Sequence, residues 1–193
     1  MKKLLITGFD PFGGAEVNPS WQAVSRLADR IGNFELCKLE IPTVFDRATR
    51  VVLEKAAEFV PDVILCVGQA GGRAAVTPER IAVNIRDARI ADNAGNQPRG
   101  EFVAIDGPAA YFATVPVEKM AQAIEQAGIA GTVSNSAGAF VCNDTLYGLL
   151  HAFRETAVQV GFIHVPYLPT QGSPSMELET ITAALAAAIS ACE

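Results

Sequence analysis

Histidine is scarce in this chain: only His151 and His164 occur among its 193 residues. The four cysteines, Cys37, Cys66, Cys142 and Cys192, are scattered, with no Cys-x-x-Cys pair and no histidine at zinc spacing. A zinc site is therefore not expected. Basic residues are also few, 15 Lys and Arg against 21 Asp and Glu, for a net charge of −6. With no basic cluster to offset that balance, a nucleic-acid surface or a polybasic membrane contact is not expected either. No apolar run approaches the roughly 18 residues that cross a bilayer. Gly-Lys-Ser/Thr is absent, and neither "GFDPFGG" nor "GQAGGR" has the Gly-x-Gly-x-x-Gly spacing, so the nucleotide-cradle reading is weak and tight turns explain the glycines as well. The opening "MKKLLITGF" has too short an apolar stretch for a secretory signal and reads as a first buried strand. A cytoplasmic location follows as the expectation, and with it an absence of structural disulfides.

What is present is alternation. Half of the residues are apolar, enough for one domain spanning residues 1–193 with a sizeable core. "LLITGF", "FELCKLEIP", "PDVILCVG", "RIAVNI", "GTVSNS" and "VQVGFIHVPY" read as strands, the third buried on both faces. Between them lie helical patterns. One follows Asn18 and Pro19, a cap and first-turn pair, with Trp21, Val24, Leu27 and Ile31 on a stripe. Others cover residues 45–60, with Ala48, Val52, Ala56 and Val60 inward, residues 117–127, and about 141–156. The last opens near Ser173 and Pro174. Residues 86–115 read as loop-rich. Strands alternating with helices predict an α/β fold, a three-layer α/β/α sandwich around a mostly parallel sheet. Cys37 and Cys66 read as small buried hydrophobes, and Cys192, the penultimate residue, is expected at a frayed end.

Ligands of such sheets gather beyond the C-terminal strand ends. The loops 7–14, 68–73, 134–144 and 164–173 should share that rim. One of them holds "GAFVCND", which places Cys142 in the first turn of a helix. There the unsatisfied N–H groups and the helix dipole favour a thiolate. Two readings are open, packing filler or nucleophile, and a base would decide between them. His151 lies nine residues along the same helix, about 900° at 100° per residue, and so faces the opposite way. His164 is different. The helix carries the chain about 22 Å away at 1.5 Å per residue, and residues 158–164 return it by about 23 Å at 3.3 Å per residue. His164 then ends its strand beside the helix that bears Cys142, as a Cys–His pair requires. The rim carboxylates Asp10, Glu79, Asp87, Asp92 and Asp144 are candidates to orient the imidazole. Glu79 opens a strand and either points into the site or pairs with Arg73 or Arg80, and spacing does not choose.

The stretches "TGFDPFGG", "NPSW", "IPT", "GQAGGR", "PERIAVNI", "SNSAGAFVCN" and "GFIHVPYLP", in this order through the whole chain, resemble the pyroglutamyl-peptidase I (pyrrolidone-carboxylate peptidase) family of cysteine peptidases. The resemblance implies a Cys142 nucleophile, a His164 base and a Glu79 acidic partner. It also implies an α/β/α fold, a homotetramer, no metal or organic cofactor, and removal of N-terminal pyroglutamate from peptides through a thioester. Ser136, Ala139, Thr170 and Ala94 depart from the family pattern, and none is in the triad. On the same basis Phe9, Phe12, Thr43, Ile90, Phe140 and Val141 are expected to line a slot for the neutral ring. Gln69 matches the donor and acceptor of a lactam or is a turn residue. Arg89 supports the oxyanion or forms a structural ion pair. Asn18 braces the first loop or caps its helix. The rival functions are a cysteine amidase of other acyl specificity, a non-catalytic small-ligand or nucleotide-binding protein, and a thiol sensor, which would need a resolving cysteine.

Overall fold

The computed structural model describes residues 1–192, and Glu193 lies outside the described residues. Strands β1 (Lys2–Phe9), β3 (Phe34–Ile41), β4 (Val63–Gln69) and β10 (Gln159–Val165) are its central, mutually parallel members. The short β2 (Arg30–Ile31) and β5 (Thr77–Pro78) join the two edges antiparallel, giving the order β2-β3-β1-β4-β10-β5. Helices α1 (Pro19–Arg26), α3 (Val117–Gln126) and α5 (Leu178–Ser190) cover one face, and α2 (Arg47–Phe59) and α4 (Val141–Phe153) cover the other. The predicted three-layer α/β/α architecture is what forms.

Strand periodicity divides the core cleanly. Leu4, Ile6, Leu65, Val67, Ile163 and Val165 pack under α1, α3 and α5, whereas Leu5, Ile64, Cys66, Val160 and Phe162 pack under α2 and α4. His164 follows Val160 and Phe162 by steps of two, so it emerges on the α4 side. The ladder pairs it with Gly68.

Several elements differ from the sequence expectation. Helix α1 ends at Arg26 because Leu27 turns extended, and Ile31 lies in β2 instead of on the helical stripe. Helix α2 closes at Val60, which is left-handed, precedes a proline and is exposed, so Val60 does not join the buried face. "RIAVNI" forms only β6 (Ile81–Val83), outside the main sheet, paired antiparallel with β9 (Ala110–Phe112). The loop-rich 86–115 stretch also contains β7 (Arg86–Asp87) paired with β8 (Arg99–Glu101). "GTVSNS" is not a strand. Its backbone makes two isolated bridges, Val76 to Gly131 and Glu79 to Ser134, because the edge position it would occupy is held by β5. Helix α4 stops at Phe153, and the last helix starts at Leu178, four residues beyond Pro174. Cys37 is half-buried, and Cys192 is not frayed: it is 3% exposed in the α1/α3/α5 layer.

The approach of α1 to β1 depends on Gly8. A Cβ there would lie 2.5 Å from the Trp21 Cα and 2.6 Å from its nitrogen, backbone atoms that no rotamer change can move. Overpacking of this kind costs about 1–3 kcal/mol, and the rigid neighbour places Gly8→Ala near the upper end. Urea unfolding should show a loss of about 3 kcal/mol with an unchanged m-value; a loss below about 0.5 kcal/mol would refute this account of the packing.

Candidate active site

The ends of β1, β4 and β10 open into a cavity of about 450 Å³, lined by all four expected rim loops. Its floor is set by the parallel ladder. His164 is directly opposite Gly68, and a Cβ on Gly68 would meet Cys142 Sγ at 2.9 Å and the Phe162 ring at 2.8 Å. Only the missing side chain lets the thiol rest on that strand, one ladder step from the imidazole, since neighbouring strands run about 4.8 Å apart. Both Cys142 and His164 line the cavity.

Glu79 follows β5, whose antiparallel pairing sets Thr77 opposite His164. Its N–H donates to the Phe162 carbonyl at 2.9 Å, which brings its side chain alongside His164. Glu79 Oε1 lies 2.7 Å from His164 Nδ1, with the carboxylate 0% and the imidazole 4% exposed. Arg73 donates to the same oxygen at 2.6 Å, to the Thr77 hydroxyl at 2.6 Å, and through its other nitrogen to the Ser136 carbonyl at 3.0 Å. Both readings of Glu79 are therefore realised together, imidazole partner and Arg73 partner, although the arginine pair is buried on the carboxylate side. Among the other rim carboxylates, Asp10 accepts from the Thr43 N–H at 2.7 Å, Asp92 from Phe45, Ala94 and Asn96, and Asp144 from Arg86. Those three brace walls, and Asp87 is exposed at the cavity edge.

The electrostatics assign protons. Burial pushes Glu79 up, but the hydrogen bond and charge of His164, with the lowering influence of nearby Ser134 and of Arg73, outweigh it and hold the carboxyl below its usual range. An ionised carboxylate only accepts, so Nδ1 carries the imidazole proton and Nε2 is left as an acceptor. Burial lowers the His164 pKa, as does Arg73, while Glu79 opposes them; the net shift is downward and the ring is neutral near pH 7. Burial also pushes Cys142 up to about 12, reinforced by the Glu79 charge and Cys66, against the lowering effects of Arg73 and its own backbone N–H. This corrects the expectation of a helix-start thiolate. Desolvation of the half-buried thiol exceeds the dipole's benefit, and the resting sulfur keeps its proton.

Helix α4 begins at Val141, with Phe140 as an extended N-cap that makes no side-chain capping bond. The first N–H groups of such a helix have no intrahelical partner. Phe9, Phe12, Thr43, Gln69, Ile90 and Phe140 line the cavity, and so do Asn18 and Arg89. Val141 does not. Its side chain is fully buried under the α2/α4 layer, because a first-turn position adjoining Cys142 turns into the core. Phe140 stands edge-on to Phe45 at 5.4 Å and tilted to Phe12 at 6.1 Å. Asn18 does both expected jobs: Oδ1 accepts from the Ser20 N–H at 3.1 Å and Nδ2 donates to the Asp10 carbonyl at 2.9 Å. His151 is remote from the cavity, bonded to the Tyr111 hydroxyl at 2.9 Å. The Arg73–Glu79 pair was one of the readings that spacing left open; what spacing did not show is that the same guanidinium also holds the Thr77 hydroxyl and the Ser136 carbonyl. Gln171 bonds Gln69 and had no assigned role. Among the described residues, no group of three or more His, Cys, Asp or Glu could hold a metal ion, and no helix is long and apolar enough to cross a membrane.

A family model described as pyroglutamyl peptidase matches residues 2–193. The pyrrolidone-carboxylate peptidase of Staphylococcus saprophyticus is 50% identical over 98% of this chain and 92% of its own, and that of Erwinia tasmaniensis is 49% identical over the same shares. Among solved structures, pyroglutamyl peptidase I of Bacillus amyloliquefaciens superposes with a TM-score of 0.96 at 46% identity, covering 100% of this chain and 97% of its own. The pyrrolidone carboxyl peptidase of Thermococcus litoralis gives 0.95 at 38%, covering 100% and 93%.

Opposing influences on His164 make its titration a direct probe of the buried pair. The imidazole should titrate below 6.5 by NMR. Glu79→Gln removes the partner that raises the value and should move the midpoint lower still. A midpoint that rises in Glu79→Gln would refute the assigned electrostatics.

Proposed function

The chain belongs to the pyroglutamyl peptidase family, and from that membership and the cavity we propose that it cleaves N-terminal pyroglutamate from peptides with a Cys142–His164–Glu79 triad. The observation that carries this reading is the 2.7 Å bond between buried His164 and Glu79 in a cavity that Cys142 shares. A neutral imidazole with Nε2 unprotonated is the base that a protonated thiol needs.

In the proposed reaction His164 Nε2 takes the proton of Cys142, and the sulfur attacks the pyroglutamyl carbonyl carbon. The oxyanion forms at the start of α4, where the first-turn Cys142 N–H has no intrahelical carbonyl partner, with Arg89 at the cavity edge adding positive charge. Glu79 keeps the ring in the Nδ1–H form and stabilises the imidazolium without taking its proton. Arg73 helps keep that carboxylate ionised. The imidazolium then protonates the departing amine as the C–N bond breaks, leaving a thioester on Cys142. Water, deprotonated by Nε2, attacks this thioester, and the thiol recovers its proton as pyroglutamate leaves.

The substrate ring is apolar except for one lactam group. Phe9, Phe12, Thr43, Ile90 and Phe140 suit the ring, and Gln69 suits the lactam. A cytoplasmic homotetramer completes this reading; Phe102, Ile105 and Phe112, with Ile105 94% exposed, offer apolar surface for subunit contact.

Release of a fluorogenic amine from its pyroglutamyl amide tests the proposal. Cys142→Ser and His164→Ala should each lower kcat/KM by about a thousandfold or more, and Glu79→Gln by about a hundredfold or more. The prolyl amide should resist cleavage. Equal cleavage of both amides would point to an amidase of other specificity, and full activity in Cys142→Ser would remove the nucleophile.

A further inference from the structure

Gln69 ends β4 and faces the cavity, but an amide presents either a donor or an acceptor, and its two orientations have the same shape. The neighbours of Gln171 settle the matter. Gln171 accepts from the Leu168 N–H at 3.0 Å, and a backbone N–H only donates, so the atom it meets is Oε1. Gln171 also lies 3.2 Å from the Val17 carbonyl, which only accepts, so that atom is Nε2. The second hydrogen of this Nε2 reaches the Gln69 side chain at 3.0 Å, where the atom it meets must be an acceptor. Two backbone groups thus fix Gln171, and Gln171 fixes Gln69 with Oε1 turned away and Nε2 left for the cavity.

We infer that Gln171 is a positioning residue that holds Gln69 as a hydrogen-bond donor, so that Gln69 reads the carbonyl of a lactam ring and not its N–H. The inference rests on the proposed reading of the cavity as a pyroglutamyl slot. A lactam carbonyl satisfies the free Nε2. A prolyl ring offers nothing in that position and leaves a desolvated donor unpaired, which is the costlier way to lose a hydrogen bond. Gln171 spends both of its donors on Val17 and Gln69 and accepts from Leu168, so neither of its donors is left for another partner. The chain of bonds runs from the loop after β1, through the turn after β10, to the end of β4. Ring recognition is thereby tied to the register of three rim loops.

Gln171→Glu tests this with little change of shape. A carboxylate still accepts from Leu168, but it repels the Val17 carbonyl and Gln69 Oε1, so Gln69 turns its NH2 toward position 171 and presents an acceptor to the cavity. Binding of 2-pyrrolidinone and of its thiolactam would be measured by calorimetry for the wild type, Gln171→Glu and the isosteric Gln171→Met. Sulfur accepts a hydrogen bond poorly, so the wild type should favour the oxygen lactam by about tenfold, the value of one hydrogen bond. That preference should fall to about unity in Gln171→Glu and be reduced in Gln171→Met, with melting temperatures near that of the wild type. An unchanged preference in both variants, an equal weakening of both ligands, or no preference in the wild type would overturn the inference. Cleavage of the pyroglutamyl amide is followed in the same preparations. Selective lactam binding without cleavage by the wild type would count against the proposed reaction and leave the Gln171 inference standing.

Discussion

A carboxylate with no solvent exposure costs several kcal/mol unless its charge is matched in place, and much of this rim is arranged around matching the charge of Glu79. His164 and Arg73 both bond its Oε1, while Oε2 has no hydrogen-bond partner among the described residues, so the compensation is concentrated on one atom. That concentration demands accurate backbone placement. It is met by the short β5 strand against β10 and by the Glu79 N–H on the Phe162 carbonyl. Arg73 extends the constraint outward, because the same guanidinium holds Thr77 and the Ser136 carbonyl in the loop leading to Cys142. Loops 68–73 and 134–144 and strand β10 are thus referred to a single buried charge.

The same burial explains a resting site with neutral sulfur and neutral imidazole. Helix α4 offers its dipole to Cys142, yet the thiol is held up to about 12 by burial first and by the Glu79 charge second. A preformed thiolate would place a second negative charge near Glu79 in a poorly solvated setting. Moving the proton to His164 instead creates an imidazolium directly beside the carboxylate that compensates it. In the proposed reaction the charge separation is therefore made where its neutralising partner already sits, which is the condition for electrostatic preorganisation.

Features set by local periodicity were legible in the sequence, and features set by edges and partners were not. The step-of-two pattern and the length of α4 brought His164 back beside Cys142, and all four rim loops meet there. The α/β/α layering follows from the same alternation. By contrast, "GTVSNS" has a strand-like pattern but no free edge to join, and Ile31 has helical spacing but falls after an extended Leu27. Val141 adjoins the reactive cysteine in sequence, yet one helical step turns its side chain into the core. The choice of Glu79 among five carboxylates rests on β5 pairing with β10 across 85 residues, a contact that no window of sequence contains. Arg73 and Glu79 lie six residues apart and their pairing was one of the open readings, but the reach of Arg73 to the Ser136 carbonyl spans 63 residues and was not legible.

The ring slot is not separable from the core. Phe9 lines the cavity but is itself a buried core residue, its ring 6.2 Å from that of Phe162. Phe162 in turn lies 4.8 Å from the His164 ring and fills the space above Gly68 beside Cys142. A smaller side chain at position 9 would therefore do more than widen the slot. The Phe162 ring would gain room to move, and with it the packing that holds the imidazole against Glu79. Interiors at crystalline density transmit such changes instead of absorbing them. Substitutions that reshape the outer wall, at half-exposed Ile90 or at Phe12, are free of that coupling, because neither belongs to the packed layers beneath the sheet ends. The inner wall must satisfy packing and recognition together, which confines variation in the slot to its mouth.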